Sequence, residues 1–191
     1  MPTLEGLVEL GERGLSEEEV KARNFRAKLL GLFYEDLLKV WLERRAGYGV
    51  VKKDVRRGTY KGKRTAVDFI VEKEGRLYAV EAKCWPAYDN GRWRKLTLSN
   101  IVQVKRGLGT PFFEEDFVKE YRLDGKAVDG KILVWWDFEE AEADEIRSEL
   151  KLDELISLKR VLSELKGDFE AEKVVEKYKK WADDLFKALL K

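Results

Sequence analysis

Apolar positions change their period several times along the chain. Val20, Phe25, Leu29, Leu30, Phe33, Leu37, Val40 and Trp41 recur at helical spacing. Ahead of them stands Ser16-Glu17-Glu18-Glu19, a Ser-x-x-Glu box in which hydroxyl and carboxylate satisfy the first backbone amides of a helix. This predicts one helix ending near Ala46-Gly47. The period then shortens, and three strands are expected over residues 48–57, 64–73 and 76–85, with Gly58 and Gly62 in the first turn. A loop of aromatic and basic residues follows (Trp85, Pro86, Tyr88, Arg92, Trp93, Arg94, Lys95), then a short helix over 98–107 and an apolar strand over 131–138. From Glu139 onward the spacing is helical. Gly167-Asp168 divides two amphipathic segments, the last striped by Val174, Val175, Tyr178, Trp181, Leu185 and Leu189. The pattern predicts an α/β fold: a central mixed sheet flanked by helices over residues 1–138, and a C-terminal helical extension over 139–191 packed on the same domain.

Composition narrows the chemistry. A hydrophobic fraction of 44% is ample for a core, while a charged fraction of 39% far exceeds the ordinary quarter. Lys and Glu are abundant, whereas Cys, Met and Gln occur once each, the bias expected of a thermophile that loads its surface with ion pairs. The single Cys84 excludes an internal disulfide, a redox pair and a cysteine-rich metal site. The chain has no His, which removes Ser-His-Asp hydrolases, His-metal nucleases and phospho-His chemistry. With no apolar run of membrane length and a charged N-terminal stretch, a cytoplasmic protein without a membrane partner is expected.

Charge is unevenly spread. Residues 47–111 hold 15 Lys and Arg against 6 Asp and Glu, although the whole chain is nearly balanced at 38 against 37. A concentrated basic region is the footprint of a polyanion partner, and equally the solvated face of an ion-pair network. Within it, Asp68 and Glu81 interrupt the apolar runs Thr65–Val71 and Leu77–Cys84, where an unpaired charge is costly. A two-residue turn at Glu74-Gly75 pairs Lys73 with Arg76 and so sets Asp68 opposite Glu81. Alternation places Lys83 on the Glu81 face and Tyr78, Val80, Ala82 and Cys84 on the other. Two facing carboxylates repel, and a divalent cation relieves the repulsion. All-oxygen ligation favours Mg²⁺ or Mn²⁺, with Asp68 and Glu81 as ligands and Lys83 placed to orient water or offset phosphoryl charge.

Asp68, twelve intervening residues and Glu81-Ala82-Lys83 on a β-hairpin resemble the core of the PD-(D/E)xK nuclease superfamily, which includes restriction endonucleases, Holliday-junction resolvases and repair nucleases. The resemblance spans residues 20–138. It implies a restriction-endonuclease-like fold and a metal-dependent deoxyribonuclease, in endonuclease mode. It also implies a glutamate on the preceding helix, and Gly31-Leu32-Phe33-Tyr34-Glu35 fits, making Glu35 a third catalytic and metal-binding candidate with Asp36 the alternate. A helical wheel sets Glu35 near Lys28 and Lys39, so a solvated side chain is an equal reading. Val67 stands where the motif has proline, and Gln103 is followed by Gly107, so the Gln-x-x-x-Tyr element of RecB-like exonucleases is missing.

The expected partner is DNA, with RNA left open. Candidate contacts are Arg56, Arg57, Lys61, Lys63, Arg64, Trp93, Arg94, Gln103, Lys105 and Arg106. Gln103 reads better as a surface residue than as a site anchor. Trp85, Tyr88 and Trp93 fit base stacking and sheet-edge packing equally. Two rivals remain: a nuclease-like domain that binds without cutting, and an interaction protein whose C-terminal stripe forms a homodimer.

Overall fold

Gly47 ends the first helix. Its φ of 72° is a left-handed conformation that glycine accepts without strain, and the Tyr48 amide turns back to the Leu42 carbonyl at 2.8 Å. The helix it closes is α1 (Glu17–Arg44). The computed structural model describes residues 17–56, 58–83 and 95–189. The expected cap at Ser16, Arg57 and the aromatic–basic loop from Cys84 to Arg94 lie outside them.

After α1 come β1 (Gly49–Val55), β2 (Thr59–Tyr60), β3 (Lys63–Arg64), β4 (Val67–Lys73), β5 (Arg76–Lys83) and β6 (Lys95–Leu96). The chain continues through α2 (Ile101–Leu108), α3 (Phe117–Glu120), β7 (Arg122–Leu123), β8 (Lys126–Ala127), β9 (Gly130–Trp135) and β10 (Asp137–Phe138). It closes with α4 (Ala143–Leu150), β11 (Glu154–Ser157), α5 (Leu158–Glu164) and α6 (Phe169–Leu189). Among the described residues the central sheet runs β1-β4-β5-β9-β11. The first three strands are antiparallel neighbours, while β9 pairs parallel with β5 and β11 parallel with β9. The sheet is therefore mixed, and helices flank it.

Strand alternation divides the core between the two faces. Phe69, Val71, Val80, Ile132, Val134 and Ile156 meet Leu37, Leu38, Trp41 and Leu42 of α1 and Leu158 and Val161 of α5. On the other face Ile70, Ala79, Leu133 and Leu155 meet Ile101 and Val104 of α2, Phe112, Phe117, Tyr121 and Ile146. Lys131 is 1% exposed on this second face, where its ammonium donates to the Phe112 and Glu114 carbonyls at 3.0 and 3.5 Å. At the far end Asp168 caps α6, accepting from the amides of Glu170 and Ala171 at 3.0 and 3.3 Å. Within α6, Tyr178 packs edge-on against Phe33 of α1, while Val175 and Trp181 are exposed.

Three expectations are corrected. The segment after Phe138 is not a purely helical extension, because β11 completes the central sheet and carries the core past the expected boundary at 138. Buried on both faces, its four residues show no polar–apolar alternation. The expected strand over 64–73 is two strands, with β3 leaving for a second sheet of order β3-β2-β7-β8. The expected strand over 131–138 is also divided, since β10 pairs with β6 instead. No helix among the described residues is long and apolar enough to cross a membrane.

Candidate active site

The β4–β5 turn sets the site. Glu74 and Gly75 have φ of 53° and 76°, the left-handed pair whose twist matches that of a two-residue hairpin. Lys73 pairs with Arg76, and the ladder continues in the expected register to Phe69 and Val80. One step further stand Asp68 and Glu81. Here the Asp68 carboxylate accepts the Ala82 amide at 2.7 Å, so a side chain takes over the bond as the backbone pairing ends. Glu81 is 5% exposed, and Lys83, half-buried on the same face, holds its ammonium 2.5 Å from the Glu81 carboxylate.

Burial makes ionisation of these acids expensive. It raises Asp68 above its ordinary value, against the lowering effects of the Ala82 amide and Lys83, while Asp54 raises it further. Burial likewise pushes Glu81 up to about 7, opposed by Lys83 and reinforced by Asp68. Glu35 of α1 also reaches about 7, through burial and then the Asp68 charge, with Lys53 opposing. Glu35 is therefore within electrostatic reach of Asp68 and is not the freely solvated side chain that the wheel allowed.

Its neighbour Asp36 serves another purpose. It accepts from Lys53, from Lys177 at 2.9 Å and from the Tyr178 hydroxyl at 3.0 Å, tying α1 to β1 and α6. Burial would raise Asp36, but these donors outweigh it and hold the carboxyl below its usual value.

Three groups at the site carried no role in the sequence reading. Lys53 counted only as a basic residue, yet it stands opposite Phe69 in the β1–β4 ladder and lies 3.6 Å from Glu35. A lysine in mid-strand beside the Asp68 strand was the available signal. Asp54, at φ 52°, adds negative charge that both Glu35 and Asp68 feel. Tyr121 is fully buried, and its hydroxyl is the buried side-chain oxygen without a hydrogen-bond partner among the described residues. Burial and then the Glu81 charge push that hydroxyl up to about 12, and the ring packs in the core layer of Ile70 and Ala79, on the Glu81 face of the sheet. No local pattern marks it.

Gly58 makes room for this tyrosine. A Cβ at Gly58 would overlap the Tyr121 hydroxyl and ring, and the ring is held by stacking on Phe117 at 4.8 Å. Gly58→Ala is therefore expected to destabilise the protein by about 1–3 kcal/mol, as read by denaturant unfolding. Adding Tyr121→Phe should restore little, since ring carbons clash as well as the oxygen.

The expected nucleic-acid residues separate into groups. Arg56 pairs with Asp54 at 2.9 Å and Lys61 with Asp116 at 2.6 Å, whereas Lys63 and Arg64 extend exposed along β3. Gln103 and Arg106 lie on the exposed side of α2, and Lys105 binds the Glu149 carbonyl at 3.3 Å. Lys105 and Arg106 line a cavity of about 600 Å³ whose Glu114, Glu115, Glu149 and Lys151 give it mixed charge. That cavity does not include Asp68 or Glu81. Arg57, Trp93 and Arg94 lie outside the described residues.

Among the described residues, no three Asp, Glu, Cys or His side chains lie close enough to enclose one ion. Asp68 and Glu81 nevertheless suit a hard cation, because Mg²⁺ characteristically takes one or two carboxylates and keeps several waters. Burial raises both carboxyls even with Lys83 nearby, and a bound cation would offset that cost of ionisation. Comparison with family models, curated proteins and solved structures gives no match for this chain.

Proposed function

We propose that this chain is a metal-dependent endonuclease that hydrolyses phosphodiester bonds in DNA, on a restriction-endonuclease-like fold. The observation that carries the reading is the gathering of Asp68, Glu81 and Glu35 where ionisation is unfavourable, with the Lys83 ammonium against Glu81. Asp68 and Glu81 hold a Mg²⁺ or Mn²⁺ ion, which when bound polarises the phosphoryl oxygens and acidifies water. Lys83 offsets the charge that grows on those oxygens as the nucleophile approaches. Glu35, titrating near neutrality, is matched to accepting a proton from the attacking water. The choice of DNA over RNA rests on the hairpin's resemblance to the PD-(D/E)xK nucleases.

The test is cleavage of linear, nicked, flapped, four-way and covalently closed circular DNA with Mg²⁺ or Mn²⁺. Wild type should open the closed circle, and Asp68→Asn should lose cleavage together with most metal affinity by titration calorimetry. Failure on every substrate with both ions would remove the reading. Equal metal binding by wild type and Asp68→Asn would exclude Asp68 as a ligand. One observation favours a second reading, a domain that binds nucleic acid without cutting: the Lys83–Glu81 pair is complete without any reaction.

A further inference from the structure

The sheet β3-β2-β7-β8 brings together cations that lie far apart in the sequence. Thr59 of β2 faces Arg64 on one side and Arg122 on the other, and Arg122 in turn faces Ala127. Directly paired residues project from the same face of a sheet, so Arg64, Thr59, Arg122 and Ala127 form one row across four strands. The alternate row contains Tyr60, which stacks on Phe117 at 5.9 Å, and Leu123, which packs against the core. Core packing of the alternate row turns the Arg-Thr-Arg row outward. At the usual strand spacing the two arginine backbones stand roughly 10 Å apart across Thr59.

Charge sets this row apart from its surroundings. Lys52, Arg56 and Lys61 are each matched by a carboxylate, from Asp124, Asp54 and Asp116. Among the described residues, no ion pair engages Arg64 or Arg122. Arg122 instead donates to the Tyr121 carbonyl at 2.8 Å, which orients the guanidinium and leaves its charge unneutralised. The row is also anchored to the carboxylate cluster. Asp68 follows Arg64 by four residues, the Thr65 amide donates to the Gly58 carbonyl at 2.8 Å, and Tyr121, next to Arg122, packs in the core layer that holds Val67 and Ala79, strand neighbours of Asp68 and Glu81.

We propose that this small sheet grips the sugar–phosphate backbone of duplex DNA, with Arg64 and Arg122 as its main contacts. The inference rests on the nuclease reading of the neighbouring carboxylates. Guanidinium groups fit phosphate oxygens in a bidentate fork, and such contacts hold register without reading sequence. Duplex is specified because the outward row has no aromatic ring; grips for single strands rely on rings on which bases stack.

The experiment is fluorescence anisotropy with short duplexes of two unrelated sequences, and a single strand of equal length. It is run in EDTA, where binding is separated from cleavage, from about 50 to about 200 mM salt. Arg64→Ala/Arg122→Ala should weaken duplex binding at least about ten-fold for both sequences and flatten the log–log salt slope by about 2. Arg64→Lys/Arg122→Lys should keep most of that slope, and Lys52→Ala should change little because Lys52 already has Asp124. Unchanged affinity and slope in the double alanine variant would overturn the grip, as would tighter binding of the single strand through the same arginines. Duplex binding that depends on both arginines without cleavage would leave the grip standing and remove the nuclease reading. Cleavage by wild type with binding indifferent to both arginines would do the reverse.

Discussion

Lys83→Ala is expected to lower the rate of DNA cleavage by about two orders of magnitude or more, the scale seen when a preorganised electrostatic group is removed. Duplex affinity, spread over many cations, should change little. The ammonium acts mainly on charge that develops in the transition state, so its loss appears in turnover before binding. It also has a structural partner, since it sits 2.5 Å from a carboxylate that is almost fully buried. Stranding a buried charge typically costs about 3–5 kcal/mol. Glu81 escapes part of that cost, because its carboxyl, already near 7 with Lys83 in place, rises further and takes up a proton. The variant should therefore be nearly as stable as wild type in mild acid and progressively weaker above neutrality. Cleavage and melting measured on one preparation at two pH values separate the roles. A protein that melts early yet cuts at the wild-type rate would make Lys83 a structural residue and end the proposed mechanism.

The hairpin was the most legible part of the molecule, and the reason is local. Glu74-Gly75 specifies a two-residue turn, apolar alternation specifies the faces, and together they set the register that the structure shows from Lys73 to Phe69. What lay beyond local rules was the next step, where backbone pairing ends and the Asp68 carboxylate takes the Ala82 amide. The choice between Glu35 and Asp36 was illegible for a similar reason. Both are acids one residue apart on a helix, and what separates them is packing from the other end of the chain, with Lys177 and Tyr178 drawing Asp36 away. Tyr121 joins the Glu81 side only through the route of the small sheet. That sheet did leave a trace: Asp124-Gly125 between two short runs is a strong hairpin signal, and both residues adopt positive φ, 50° and 81°. The strand β11 left none.

Stability without metal should fall as pH rises from about 4.5 to about 7, and a divalent cation should reverse much of that loss. The direction follows from where the protons sit. Unfolded glutamates release theirs near 4.5, whereas folded Glu35 and Glu81 keep theirs to about 7. Between those limits the folded protein binds more protons than the unfolded chain, so stability declines with rising pH. Each carboxylate forced to ionise in the fold costs roughly 3 kcal/mol, with Asp68 contributing in the same direction. An opposing limb lies at lower pH, where Asp36, Asp116, Glu164 and Asp168 are held below their ordinary values. Their stabilising bonds are lost as protons return, so the metal-free optimum should fall at about pH 4.5. A cation binds the ionised carboxylates and competes with their protons, so Mn²⁺ should raise the melting temperature more at about pH 8 than at about pH 5. Glu81→Gln should flatten the descending limb in EDTA and abolish most of the Mn²⁺ response. Differential scanning calorimetry across this range, with EDTA or Mn²⁺, measures both effects. A metal response equal at the two pH values would dissociate the buried carboxylates from the ion. A metal-free protein more stable at about pH 8 than at about pH 5 would mean that Glu35 and Glu81 are already compensated within the fold, leaving no cost of ionisation for a cation to offset.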